Sequence, residues 1–240
     1  LGAAFPTTGV LDTFDRANAD TLGSNWTLTD DFASGATNLG INTNLCRAPS
    51  TWTQFGDYAT MHWNVSTFGP DTEAYHTITT QTLDSKVDAH VVYTRVAFTA
   101  EGNYDGYWFR ITGAAGTDVP DIARIDNGAQ TILGAAGSTE FVSGDGLGGE
   151  SIGSTHTIYR NSAGSWSSLF SRTDGTYTAA GNIALYGGSN EVNPPNGWRV
   201  NDFGGGTVVV AGGRIMSKLA GYGGLVSHGG IAGRGGGLAG

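Results

Sequence analysis

The sequence predicts an all-β protein: a two-sheet antiparallel jelly-roll sandwich followed by an extended glycine-rich C-terminal tail. Three observations point there. From about Thr7 to Gly206 the chain is a succession of short runs rich in Thr, Val, Ile and aromatic residues, separated by clusters of Gly, Asn, Asp and Ser, which is strand chemistry alternating with turn chemistry. Apolar residues at helical spacing, with caps, are hardly visible anywhere. About a dozen runs over the span fit a jelly roll better than a seven-strand immunoglobulin-like sandwich.

In chain order the expected strands begin with Val10–Phe14, Asn25–Phe32, Tyr58–Trp63 and Thr77–Thr82. The clearest run is Val87–Thr99. Side chains alternate along a strand, so Val87, Ala89, Val91, Tyr93 and Ala97 are expected on one face and Val92, Val96 and Phe98 on the other. A strand apolar on both faces suits a sandwich, where one face meets the second sheet. Then follow Tyr104–Thr112, Ile122–Asp126, Thr131–Gly134, Thr155–Arg160, Trp166–Arg172, Asn182–Gly187 and Trp198–Phe203. Val10–Phe14 and Trp198–Phe203 both end in an aromatic beside Asp, and they are expected to be neighbours in one sheet.

Glycine supplies 40 of the 240 positions and proline only 6, a balance that fits neither collagen nor a proline-rich linker. Charged residues make up 14% of the chain and the net charge is −9. That argues against a nucleic-acid partner, which needs a basic face to neutralise phosphate. No stretch approaches the ~18 consecutive apolar residues of a membrane span, and none is expected. Cys46 stands alone, so stability must come from packing and sheet hydrogen bonds without an intrachain disulfide.

Composition changes at Gly204. From there to Gly240, 15 of 37 residues are Gly, no acid occurs, and Arg214, Lys218 and Arg234 give +3, leaving −9 − 3 = −12 on the rest. The expected organisation is an N-terminal arm (1–6), a jelly roll (7–206) and a tail (207–240). Within the tail a six-residue period runs three times over 219–236, each unit opening on an aliphatic residue and closing on a Gly pair.

Several short motifs fail their context. Gly144–Gly149 fits G-x-G-x-x-G, but a dinucleotide fingerprint needs a helix after it to present amides to the pyrophosphate; here a strand is expected to follow. Gly149–Gly153 fits G-x-S-x-G around Ser151, yet a nucleophile elbow also needs a strand-turn-helix. His62, His76, His90, His156 and His228 show no pair at metal spacing. Glycoside cleavage uses two carboxyls flanking the bond. The one alternate-position acid pair, Asp71 and Glu73, follows Gly69-Pro70 and is expected in a solvated turn. No catalytic residue, metal ligand or cofactor is assigned.

Aromatics are 10% of the chain, with Trp52, Phe55, Tyr58 and Trp63 crowded into one stretch and Tyr104, Tyr107 and Trp108 into another. Most should fill the core, but an exposed ring can stack on a sugar while nearby Asp, Asn or Arg bonds its hydroxyls. Tyr104 and Asp105 lie beside Gly102-Asn103, and Trp198 follows Pro194-Pro195-Asn196-Gly197. Together with Trp52 and Trp63, these are the expected carbohydrate-binding residues.

Three stretches resemble the concanavalin A-like, laminin-G-like jelly roll of bacteria and bacteriophages. The opening Leu11–Trp26 is similar to its F-x-R … L-G-x-x-W motif, Gly106–Ile111 to its central strand, and Asp174–Tyr186 with Arg199–Phe203 to its paired closing strands. The fold hosts lectins, glycanases, lyases and structural modules, so it implies little about activity. The E-x-D-x-x-E run of laminarinase-like glucanases is absent, as is the Asp/Asn-rich calcium loop of legume lectins. This opening beside a glycine-rich repeat resembles minor structural proteins of actinobacterial phages.

The resemblance implies a non-enzymatic virion protein of head or tail, displaying a lectin-like module toward host surface glycans. The open alternative is a secreted carbohydrate-active enzyme or its binding module. In a threefold extended helix the tail would align Leu219, Tyr222, Leu225, His228, Ile231 and Arg234 on one edge and mostly glycine on another. A side-chain-free edge admits a neighbouring backbone. The tail is therefore expected to be buried against other virion subunits in a homo-oligomer, a trimer for preference.

Overall fold

The computed structural model describes residues 4–32, 38–48, 57–80, 89–114, 117–188 and 198–209, all within one unit spanning Leu1–Val210. Among the described residues there are fifteen strands and no helix, hence no helix long and apolar enough to cross a membrane. The strands are β1 (Val10–Asp12), β2 (Trp26–Phe32), β3 (Gly40–Asn42), β4 (Leu45–Arg47), β5 (Tyr58–Trp63), β6 (Thr72–Thr80), β7 (Ala89–Ala100) and β8 (Asn103–Ala114). They continue as β9 (Thr117–Asp126), β10 (Ala129–Ala135), β11 (Gly146–Ile152), β12 (Thr155–Ser162), β13 (Ser165–Thr173), β14 (Asn182–Gly188) and β15 (Arg199–Thr207).

Two antiparallel sheets result. One has eight strands, ordered β13-β12-β11-β6-β15-β4-β3 with β1 also on β15; the other has seven, ordered β10-β9-β8-β7-β14-β5-β2. Val10 pairs with Gly204 and Asp12 with Phe203, so the first and last strands are neighbours, as the sequence predicts. The core lies between the sheets, where β8 contributes Tyr107, Phe109 and Ile111, β14 Ile183 and Leu185, β6 Ala74 and Ile78, and β15 Val200 and Phe203.

The opening motif is a clasp. Asp12 Oδ1 accepts from Phe14 N at 2.8 Å and Arg16 Nη1 at 2.6 Å, while Oδ2 accepts from Arg16 Nη2 at 3.1 Å and Trp26 Nε1 at 2.8 Å. Trp26 in turn packs against Phe14, Trp63 and Phe203. The F-x-R … W residues thus tie the start of the chain to β2 and β15. Asp12→Ala removes the acceptor for four donors, two of them on an arginine, and is expected to lower unfolding free energy by about 3 kcal/mol. Urea unfolding monitored by circular dichroism checks it.

Four features depart from the sequence reading. Strands β3 and β4 are too short to show a pattern. No strand is expected from sequence between Thr131–Gly134 and Thr155–Arg160, yet Gly146–Ile152 forms β11 and takes in the end of the Gly144–Gly149 motif. Gly149 faces Phe109 of the opposite sheet so closely that a Cβ there would enter the ring, so glycine in this strand sets the sheet spacing. The Asp71–Glu73 turn is also corrected: β6 begins at Thr72, and Glu73 is fully buried. Finally, the β7–β8 register shifts between Thr94 and Ala97, with Arg95 at φ 54°. This bulge resets the alternation, so Val96 and Phe98 join the Tyr93 face and not the Val92 face.

Candidate functional site

The outer face of the seven-stranded sheet, turned away from the core, is aromatic. Inward Val92 and Phe109 leave outward Val91, Tyr93 and Trp108, and these form a second apolar cluster there with Ala89, Val96, Tyr104, Ala123, Ile125 and Ala184. Trp108 stands opposite Tyr93 across β7–β8, and Tyr186 opposite Thr60 across β14–β5. The rings of Tyr93 and Trp108 meet edge to face at 6.2 Å, those of Tyr93 and Tyr104 at 6.1 Å, and Tyr58 stacks on Tyr186 at 5.5 Å.

The bulge at Arg95 closes this face into a groove. Beyond it the β7–β8 hairpin folds across the sheet until Gly102 N donates to Thr29 O of β2 at 2.9 Å. Phe98 then lies 4.9 Å from the His62 ring. Tyr104, at the start of β8, is brought over Tyr93, and the hydroxyls of both reach Thr60. The groove measures about 340 Å³ and is lined by Tyr58, Tyr93, Tyr104, Trp108 and Tyr186, with Thr60, Ala89, Val91 and Gly128 giving room between the rings. That volume is within the usual range for a small-ligand site.

Its polar groups are few and separated. Asp30 of β2 lines one part and accepts from Tyr58 Oη at 3.4 Å. Burial raises its carboxyl above the ordinary range, and the Tyr58 bond partly offsets this. Beside it, burial and the adjacent Glu101 push Asp31 up to about 6. Arg110 and Gln130 line another part. Arg110 lies over the Trp108 ring at 4.5 Å, and its Nε and Nη2 bond Asp121 Oδ2 at 2.9 and 2.6 Å. Ring faces beside a carboxylate, a guanidinium and an amide are the groups that hold a sugar: apolar C–H faces on the rings, hydroxyls on the polar tips.

Of the residues singled out from sequence, Tyr104 is in this groove, as a nearly buried part of its lining and not an exposed platform. Asp105 points away from it, accepting from Asn127 N at 2.8 Å and Tyr177 Oη at 3.1 Å. Trp198, expected on the surface, is 1% exposed and stacks 5.7 Å from His90 in the core. Trp63 is likewise a core ring, edge-on to Trp26 at 5.5 Å. Adjacency to a loop misled the assignment of Trp198 and aromatic crowding that of Trp63, because sheet face decides whether a ring meets solvent. Trp52 and the tail residues Leu219, Tyr222, Leu225, His228, Ile231 and Arg234 lie outside the described residues. Sequence reasoning did not single out Tyr93, Trp108, Tyr186, Asp30, Arg110 or Gln130 as binding residues. The alternation Ala89-x-Val91-x-Tyr93 with Tyr104, Trp108 and Arg110 was the available signal.

The G-x-S-x-G serine does meet a histidine, in the wrong setting for attack. Ser151 Oγ lies 2.8 Å from His156 Nδ1 and 2.7 Å from Thr94 Oγ1, and His156 Nε2 lies 2.9 Å from the Asp174 carbonyl. A carbonyl only accepts, so Nε2 carries the proton, Nδ1 accepts from Ser151, and Ser151 accepts from Thr94. Ser151 and His156 are both fully buried. The pair is an internal hydrogen-bond chain. Among the described residues no group of three or more His, Cys, Asp or Glu side chains is placed to hold a metal ion.

No family model and no curated protein sequence matches the chain. Solved structures do. The legume lectin-like domain from Entamoeba histolytica aligns with a TM-score of 0.55 at 9% identity, over 77% of this chain and 91% of that one. The VIP36 exoplasmic/lumenal domain in its Ca2+/Man3GlcNAc-bound form gives 0.53 at 11% identity, over 78% and 84%. The CBM2 module of the evolved Dit of Lactobacillus casei BL23 phage J-1 gives 0.52 at 11% identity, over 82% and 96%. At these identities the likeness is one of architecture: the protein has a lectin-like jelly-roll fold.

Proposed function

We propose that the protein is a non-enzymatic glycan-binding module of a virion, holding a host surface glycan in the aromatic groove of its seven-stranded sheet and anchored to other virion subunits by its glycine-rich tail. The observation that carries the binding role is the groove: five aromatic side chains with Asp30, Arg110 and Gln130 at its polar positions. The VIP36 domain with bound Man3GlcNAc and the phage J-1 module support the reading through their shared fold. Against catalysis stands the acid inventory, since Asp30 is the sole carboxylate among the described groove-lining residues, whereas the usual glycosidase routes need two.

Two measurements test this. Incubation with a panel of soluble polysaccharides is expected to release no reducing sugar; release that disappears in Asp30→Asn would make the groove an active site. For the anchor, Gly230→Val is expected to block incorporation into particles while the isolated sandwich keeps its thermal midpoint. Normal incorporation would remove the tail from that role.

A further inference from the structure

A second aromatic recess lies on the outer face of the eight-stranded sheet, filled by the chain's own leading segment. Phe5 is 8% exposed. Its ring stacks on Tyr159 at 4.0 Å with an interplanar angle of 3°, and stands edge-on to Trp166 at 4.9 Å and Tyr75 at 6.3 Å. The cavity exists because glycines floor it: a Cβ on Gly148 would enter the Phe5 ring, and one on Gly204 the Tyr75 ring. The residues after Phe5 are read by hydrogen bonds. Glu73 Oε1 accepts from Thr7 N at 2.7 Å, Thr8 N at 2.6 Å and Thr8 Oγ1 at 2.6 Å, and Tyr75 Oη donates to Thr8 O at 3.0 Å.

We propose that this recess is a binding site for an extended Phe-Pro-Thr-Thr segment, and that a second copy of this chain supplies the segment in trans, linking copies by arm exchange. The hydrogen bonds of Thr7 and Thr8 to Glu73 and Tyr75 span 65 to 67 positions, so the fit of the segment depends on its own residues and not on local chain continuity. The covalent link that follows is short and lightly held: Gly9 O accepts one bond, from Gly205 N at 3.3 Å, where β1 begins beside β15, a Cβ at Gly9 would meet nothing within 4 Å, and Val10 is 47% exposed. The recess also selects the segment chemically. Glu150 lies opposite Glu73 across β6–β11 and accepts from Tyr159 Oη at 3.0 Å. This acidic wall favours N–H and O–H donors, and Ala4–Thr8 offers donors and no acid. Exchange of an identical segment keeps every contact and changes only which copy provides it, so the cost is small and concentration sets the balance.

Two full-length variants separate the roles. Phe5→Ala leaves the recess open and cannot fill a neighbour's; Gly148→Val blocks its own recess and frees an intact arm. Each alone is expected to sediment as a monomer, and an equimolar mixture as a dimer of doubled mass. Transferring Phe5→Ala onto the Gly148→Val chain should abolish pairing. A mixture that stays monomeric while both chains give the wild-type circular dichroism spectrum overturns the proposal. Calorimetric titration of the peptide Ala4–Gly9 into the Phe5→Ala protein needs no second variant. A saturable one-to-one isotherm, weakened about tenfold or more when the peptide carries the same alanine, supports the site, and the absence of binding overturns it.

Discussion

Lowering the pH from 7 to 5 is expected to cost the sandwich about 6 kcal/mol through three buried histidines, a large part of what a domain of this size possesses. His76, His90 and His156 are all fully buried. Burial lowers all three imidazoles from 6.5, His90 to about 3 and His156 to about 4, with His76 well down and depressed further by His90, whose ring is 5.4 Å away. Neither ring nitrogen of His76 or His90 has a hydrogen-bond partner among the described residues. In the unfolded chain each takes up a proton near 6.5, while the folded protein keeps it neutral. Stability is therefore complete above pH 6.5 and declines as pH falls toward the folded values, at about 2 kcal/mol per histidine by pH 5. Asp31, raised to about 6 and half-buried, works in the opposite direction, as do Asp30, Asp121 and Glu150, whose carboxyls burial also raises, so these acids offset part of the histidine loss. Denaturant midpoints from pH 7.5 to 4.5 check this, and His90→Leu should flatten the curve. A midpoint unchanged to pH 4.5 would mean that these rings meet water.

Arg95→Met is expected to lower stability by about 3–5 kcal/mol, near 10 °C in thermal midpoint for a chain of this length. The guanidinium is 2% exposed and donates to three carbonyls: Pro70 O at 2.6 Å, Tyr177 O at 2.9 Å and Ser151 O at 3.2 Å. Those bonds hold a non-glycine residue at φ 54° inside a strand, a conformation that persists only where its surroundings over-determine it. The same bulge folds the β7–β8 hairpin over the groove. Methionine should thus loosen the hairpin along with the core, so glycan affinity is expected to fall together with the thermal midpoint. A loss below 1 kcal/mol would show that the bulge is held by other contacts.

The strands legible in the sequence were those whose β-branched and aromatic residues alternate without interruption, such as Tyr104–Thr112 and Asn182–Gly187. β11 was hidden because close sheet spacing at Phe109 and the Phe5 recess both demand glycine, the residue that otherwise marks a loop. On β7 the alternation held to Thr94 and failed beyond it, since no local pattern announces a bulge that Arg95 secures through carbonyls distant in sequence. The groove was half visible for the same reason. Tyr104 was identified, but its partners Tyr58, Tyr93 and Tyr186 come from three other strands, and strand order is what gathers them. Trp198 and Trp63 show the converse error: one ring follows a loop and the other sits in an aromatic-rich stretch, and both are buried in the core between the sheets.

Glycan binding in the aromatic groove of the seven-stranded sheet is open to direct test. The most direct measurement is a glycan array, followed by calorimetric titration of its strongest ligand, on the wild type, Tyr186→Ala and Trp166→Ala. Tyr186 is a half-buried groove ring, while Trp166 lies on the opposite sheet beside Phe5. Binding that Tyr186→Ala weakens about tenfold and Trp166→Ala leaves unchanged is the expected result. Binding indifferent to Tyr186→Ala, or lost only in Trp166→Ala, would contradict it.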